Sequence, residues 1–398
     1  MVPLPKDRDT DQPGRSFEPL SVAVCDNYEP QHIRAAIERC LEPLGGIAAF
    51  VCPGHRGKTR QKVLLKPNLL SGKPPGNAVC THPAVVEAVA GLALDAGAEV
   101  VIGDSPGLES TLGAARRAGL EEVARRLGIR ISPFDTCRRP DDSSRLLFKN
   151  LELAEEAIDA GAIVNLPKCK THEQMGMTLA VKNMFGCVVG KQKARWHFQA
   201  GRDHLAFARL LLDVYLSLKP TLNLIDAVWS MDGEGPSNGR VRRTGFFAAC
   251  TDGLHMDFQL CRLLGVDTRR VPILTVAREK NLLPPPETGL NIIGDLPDQE
   301  QVKDFSLSPS AVPVPMGPAF LHGILERLLS AKPWIDPGRC TRCGACFDIC
   351  PADTIELTTE GEYRINLDNC IRCFCCQEIC PQAAVAIRRG ILSGLMDK

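Results

Sequence analysis

The sequence predicts an α/β fold, a mostly parallel sheet covered by helices on both faces, followed by a small α+β module built around cysteines. Three observations predict it. Short apolar runs of strand length alternate with segments of helical spacing from residue 20 onward, the pattern of repeated βαβ crossovers. The polar residues that break this pattern fall just after predicted strands, at the edge where open parallel sheets bind ligands. Near the end, the spacing C-x2-C-x2-C-x3-C-P occurs twice within residues 340–381.

Taken in order, residues 20–25 form a first apolar strand and His32 to Leu44 a helix. A buried-type strand, Lys62 to Asn68, ends in polar residues. Thr81 reads as an N-cap with Pro83 in the first turn, and the helix stops at Gly97. The strand Ala98 to Ile102 then gives a right-handed crossover. Residues 109–127 read helical, Ile129 to Phe134 extended, Leu151 to Ala160 helical, and Ala162 to Leu166 as a strand opening into a loop, Pro167 to His172. Helical segments follow at Leu179–Cys187 and His204–Leu218, then a strand Leu222–Asp226 and a polar loop Met231–Gly239. Phe246–Thr251 and Asn291–Ile293 are further strands, residues 295–316 cross the surface, and Pro318–Ser330 is a helix. The expected division is a loose segment 1–19, an α/β domain 20–331, a cysteine domain 332–390 and a tail 391–398.

Composition limits the classes. A chain of 398 residues accommodates one large domain and a small one. Forty-seven basic against 47 acidic residues leave no overall field, which argues against a nucleic-acid partner. The sequence offers no apolar run of the roughly 18 residues that would span a membrane. Residues 1–19 lack an apolar core for a signal peptide, so the expected location is cytoplasmic. Eighteen cysteines then suit a reducing, anaerobic cell.

Both cysteine runs have the spacing that holds [4Fe–4S] cubanes. Three close cysteines take three corners of a cube, and the fourth, beyond a chain reversal, reaches the other cube. Cys340, Cys343, Cys346 and Cys380 are thereby assigned to one cluster, and Cys370, Cys373, Cys376 and Cys350 to a second. Zinc knuckles would end differently, disulfides need an oxidising compartment, and Cys375 falls between ligand positions. The repeat extends past the ligands: Arg342 matches Arg372, Asp348 matches Glu378, and Ile355 matches Val385. Residues 336–388 resemble a bacterial two-cluster ferredoxin, and the resemblance implies single-electron transfer with a donor or acceptor protein.

The site must therefore lie upstream. Between Ala162 and His197 stand six basic residues and one acid, Glu173. Such an excess focuses an anionic ligand, or is simply a solvated basic face. Lys66, Lys168, Lys170 and Lys182 are candidates to position a small anionic substrate, with Asn68, Ser105 and Asn183 hydrogen-bonding it. His172 or His204 could titrate near neutrality. Asp104, Asp226, Asp232 and Glu234 could serve as acids or divalent-metal ligands, or equally as turn residues. The Asp232–Pro236 glycine loop is too short for a dinucleotide fingerprint.

Lys66-Pro-Asn68, Gly103-Asp-Ser-Pro, Asn165 to His172, Thr178 to Gly186 and Asp226 to Gly239 together resemble the domain of unknown function 362 family over residues 20–320. That resemblance implies an architecture often joined to a ferredoxin-type module, without an assigned reaction. The expectation is an iron–sulfur oxidoreductase using two [4Fe–4S] clusters. In it Lys168, His172, Asp104 and Asp226 act in catalysis, while Lys66, Asn68, Ser105, Lys170, Lys182, Asn183, Asp232 and Glu234 bind substrate. The rivals are a non-catalytic electron carrier or maturation partner, and a redox-neutral lyase or isomerase with structural clusters.

Overall fold

Alternation decides which way each strand of this protein faces. In the strand Lys62–Pro67, Val63 and Leu65 pack into one apolar core while Leu64, between them, packs into another. In Ala162–Leu166, Ala162, Val164 and Leu166 join the first core and Ile163 the second. A period of two with both sides apolar is what a sheet sandwiched between helices requires. The computed structural model describes residues 17–52, 61–107, 109–141, 146–285, 287–308 and 331–388. The expected helix Pro318–Ser330 and the tail 391–398 lie outside them, as does most of the loose segment 1–19.

The strands are β1 (Leu20–Val24), β2 (Lys62–Pro67), β3 (Glu99–Gly103), β4 (Arg130–Ser132), β5 (Cys137–Arg138), β6 (Leu153–Ala154), β7 (Ala162–Leu166), β8 (Lys168–His172), β9 (Gly176–Thr178), β10 (Leu222–Asp232), β11 (Arg240–Cys250) and β12 (Ile292–Gly294). Ten of them form one sheet, ordered β12-β1-β11-β10-β7-β2-β3-β4, with β8 and β9 continuing beside β10. The run from β10 to β4 is parallel throughout. β11 is antiparallel to both β10 and β1. The helices Pro30–Leu41 and Pro83–Asp95 cover one face, and His204–Leu218 and Pro272–Glu279 the other. Each fully buried Leu, Ile or Val in these faces contributes about 1.5–3 kcal/mol.

Three local readings are corrected. Thr81 does not cap the helix Pro83–Asp95: its hydroxyl donates to Leu166 O and accepts from Asn68 N–H, and His82 caps instead, its Nδ1 accepting from Ala84 N–H. Leu151–Ala160 holds only the β6 bridge and one helical turn, Glu155–Ile158. The segment after Pro167 is no loop, since Pro167 interrupts the ladder for one residue and β8 resumes beside β10. Polar side chains on a buried strand imitate a loop in composition.

The cysteine module carries β13 (Lys332–Ile335) paired with β16 (Val385–Arg388), and β14 (Ile355–Leu357) paired with β15 (Tyr363–Ile365). Its one-turn helices Ala345–Ile349 and Cys375–Ile379 occupy equivalent places in the two halves. Among the described residues no helix is long and apolar enough to cross a membrane.

Candidate functional site

Strand β8 organises the site. Lys168, Lys170 and His172 share one of its faces, and all three are about 1% exposed. Burying three basic groups in a row demands compensation, and each finds a different kind. Lys168 Nζ donates to Asp226 Oδ2 and to the Tyr28 hydroxyl, both at 2.8 Å, and that hydroxyl donates to Asp226 Oδ1 at 2.7 Å. His82 N–H completes the Asp226 carboxylate at 3.0 Å, and the His82 ring stacks on Tyr28 at 3.7 Å. Among the described residues Lys170 pairs with no carboxylate: its Nζ donates to Asn68 Oδ1 at 3.0 Å and to Val79 O. Burial pushes it down to about 8.

Neighbouring strand ends add a second ion pair. Lys66 Nζ sits 3.0 Å from Asp104 Oδ2, and the Asp104 carboxylate also accepts from Leu69 and Ser105 N–H, both at 2.7 Å. Gly186 packs so closely here that a Cβ would lie 1.9 Å from Asp104 Oδ1. Lys193, from the helix Gln192–Ala200, donates to the carbonyls of Ser105 and Pro106, and burial lowers it to about 7. Ser105 Oγ accepts from Gly190 N–H at 3.1 Å.

Asn68 and Asn183 do not present free amides. Asn68 Nδ2 donates to Asn183 Oδ1, Asn183 Nδ2 to Asn165 Oδ1, and Asn165 Nδ2 to Asn223 Oδ1, at 2.8–2.9 Å. This buried chain ties β2, β7 and β10 to the turn Ala180–Asn183 and supports Lys170 from below. The same turn carries Lys182, whose Nζ makes no hydrogen bond or ion pair among the described residues, although protein surrounds it and water reaches part of it. Asp257 braces the turn, accepting from Ala180 N–H at 2.7 Å and Val181 N–H at 3.1 Å.

Burial pushes the Asp257 carboxyl up to about 8. The native state then keeps a proton that the unfolded chain has lost above about pH 4, so stability falls as pH rises from about 4 to 8. Urea unfolding at several pH values in that window is expected to show this decline, and Asp257→Asn to flatten it.

Two predicted binding residues lie elsewhere. Asp232 is locked by Arg240 (3.0 and 2.8 Å) and Arg242 (3.0 Å) on the β10–β11 hairpin. The Glu234 side chain is exposed, and its carbonyl accepts from Gln377 Nε2 at 3.0 Å. Neither faces the basic centre. Asp104, Asp226 and Asp232 are each paired with a lysine or arginine among the described residues.

The cysteine module repeats its geometry in both halves. Arg342 and Arg372 N–H each donate to the thiol two residues back, Cys340 and Cys370, at 3.4 Å. Thr354 and Ala384 N–H donate to Cys350 and Cys380 at 3.4 and 3.2 Å. Positive φ recurs at Gly344 and Phe374, +81° and +60°. Cys340, Cys343, Cys346 and Cys380 line one small pocket. The thiols that push the Cys376 thiol up, after burial, are first Cys373, Cys370 and Cys350. Each foursome includes the distant cysteine that the spacing assigned to it, and N–H···S bonds of this kind tune bound clusters. The residues fit iron–sulfur ligation.

The module docks on the basic centre through its second half. Arg202 donates to the carbonyls of Cys370 (3.0 Å) and Asp368 (2.9 Å), and Ser237 Oγ to Glu378 O at 2.9 Å. The Glu378 side chain enters the centre. Its Oε1 lies 2.9 Å from His172 Nε2 but out of line for a good hydrogen bond, and among the described residues neither atom has another hydrogen-bond partner. Gln174 and Met175 N–H donate to His172 Nδ1 at 3.1 and 3.2 Å, leaving the ring proton on Nε2. Burial, then Lys182, lowers His172 to about 4, so it is neutral at pH 7. Burial would raise Glu378, yet His172 and Lys182 outweigh it and hold the carboxyl below the usual range. His197, stacked on Phe207 at 4.2 Å, closes the far side.

A parallel α/β sheet whose carboxyl edge meets a cysteine module of two equivalent halves defines an iron–sulfur protein. Residues 332–381 match the 4Fe-4S dicluster domain, and residues 63–262 match Domain of unknown function (DUF362). The Thylakoid-associated protein of Synechocystis sp. is 38% identical over 298 residues, 75% of this chain and 90% of that one. The chain belongs to the DUF362 family. Among solved structures, the lactate racemase apoprotein from Thermoanaerobacterium thermosaccharolyticum shares 12% identity at a TM-score of 0.38, over 59% of this chain and 55% of that one. A Thermotoga maritima protein shares 11% at 0.33, over 65% and 60%. Both matches span less than two thirds of the solved chain.

Sequence reasoning missed Tyr28, His82, Asp257, His197 and Glu378. Glu378 alone carried a signal, its place between two ligand cysteines.

Proposed function

We propose that the protein is an iron–sulfur oxidoreductase acting on a small anionic substrate at the carboxyl edge of the sheet. Cys340, Cys343, Cys346 and Cys380 hold one [4Fe–4S] cluster, and Cys350, Cys370, Cys373 and Cys376 a second. When bound, these clusters supply single electrons. The observation that carries the reading is the docking of the Cys375–Ile379 helix on the basic centre, which brings Glu378, two residues from Cys376, to 2.9 Å from His172 and within electrostatic reach of Lys170 and Lys182. Lys182 and Lys170 attract and orient the anion, and the neutral His172 offers its Nε2 proton. Lys66–Asp104 and Lys168–Asp226 frame the floor. Cys343 is exposed whereas the second foursome is more buried, so a donor protein docks at the first half.

The test is an anaerobic redox titration, followed by electron paramagnetic resonance, of the iron-loaded protein with a panel of small carboxylates and oxyanions. At least one anion is expected to shift a cluster potential. Lys182→Met should abolish that shift with iron content unchanged. If no anion shifts either potential, the reading is wrong and an electron carrier without a substrate is favoured.

A further inference from the structure

We infer that the anion subsite is built for a carboxylate, and that Glu378 keeps that place until a ligand's carboxylate displaces it. The inference rests on the reading of the sheet edge as an anion site and names the ligand class.

The argument begins with a contrast among three carboxylates at one edge. Asp226 accepts from Lys168 Nζ, the Tyr28 hydroxyl and His82 N–H, and Asp104 pairs with Lys66 while accepting from two backbone amides. Both are saturated, as permanently buried anions must be. Glu378 is different. Its Oε1 lies 2.9 Å from His172 Nε2 but out of line for a good hydrogen bond, and Lys182, which acts on it, has no bonded partner among the described residues. Four basic side chains, Lys170, His172, Lys182 and His197, all feel Glu378. An anion site is thus filled by a carboxylate that makes poor use of it, which leaves room for one that makes better use.

Two further features fit a displaceable occupant. The Glu378 backbone is tethered, through Ser237 Oγ to its carbonyl and Gln377 Nε2 to Glu234 O, so only the side chain has to swing. Glu378 also lies on the one-turn helix between Cys376 and Cys380, cysteines of different foursomes, so its departure moves a negative charge next to both. Affinity for the ligand and the electrochemistry of the module are then linked reciprocally. The group that Glu378 places in the centre beyond its Cβ is a CH2–COO⁻ unit, the size and charge of acetate. A tetrahedral dianion such as phosphate has neither that shape nor that charge.

The experiment is calorimetric titration of the anaerobic, iron-loaded protein with acetate and with inorganic phosphate. Glu378→Ala vacates an acetate-sized space and is expected to bind acetate about tenfold more tightly than wild type or better, with phosphate changing by less than about twofold. Glu378→Gln keeps the volume and removes the competing charge, so it should also bind acetate more tightly. It decides the matter if the alanine variant fails to fold or loses iron. Acetate affinity within about twofold of wild type in the folded variants overturns the inference. An equal gain for phosphate overturns the carboxylate class. Either failure leaves intact an anion-dependent cluster potential in the wild-type protein, which tests the site itself.

Discussion

Lys168→Ala is expected to destabilise the α/β domain by about 3–5 kcal/mol, the cost of leaving one partner of a buried ion pair alone. Asp226 is fully buried and bonded to Lys168, Tyr28 and His82, so removing the lysine strands a carboxylate where water cannot reach it. Tyr28 loses a donor as well. A paired change, Lys168→Met with Asp226→Leu, should recover much of the loss, because hydrophobic replacement of a whole buried pair is often neutral. Urea unfolding followed by circular dichroism measures both. A loss under about 1 kcal/mol in the single variant would mean that Lys168 is not holding the edge together and is free for chemistry instead.

The second large effect concerns adjacent thiols. Cys376→Ala is expected to cut iron from about eight to about four atoms per chain, whereas Cys375→Ala should leave it unchanged. Both thiols are 8% exposed, so burial does not separate them. Their surroundings do: Cys376 feels four other ligand candidates, Cys373, Cys370, Cys350 and Cys346, whereas Cys375 feels Cys373, Glu378 and Cys376 and acts on Lys182. Iron analysis with electron paramagnetic resonance reads the outcome. Equal iron loss in both variants would mean that the register of the second foursome is wrong.

The fold was readable because its signals are local. Apolar runs of strand length marked β1, β2, β3 and β7 within a residue or two, and His204–Leu218 was placed to the residue. The helices Gln192–Ala200, Gly253–Leu263 and Pro272–Glu279 were not foreseen. Strand β8 was missed because Lys168, Lys170 and His172 are polar, although their alternation with Cys169 and Thr171 already had the period of a strand. Within the basic centre Lys170, His172 and Lys182 were visible as a local excess of charge. Asp232 and Glu234 were included for composition alone, and nothing in composition shows that Arg240 and Arg242 lie opposite Asp232 on a hairpin.

Chain chemistry alone marked eight candidate ligand cysteines and the basic run, because thiol spacing and charge density are properties of neighbours in sequence. Whether a given polar group is a working group or a strut depends on what comes to meet it from far away. Asp348 and Glu378 hold the same place in the cysteine repeat, yet Asp348 is in water and Glu378 is inside the basic centre. Only the docking of one half-module against β8, through contacts such as Arg202 to Cys370 across 168 residues, makes that difference, and long-range contacts of this kind leave no periodicity to read.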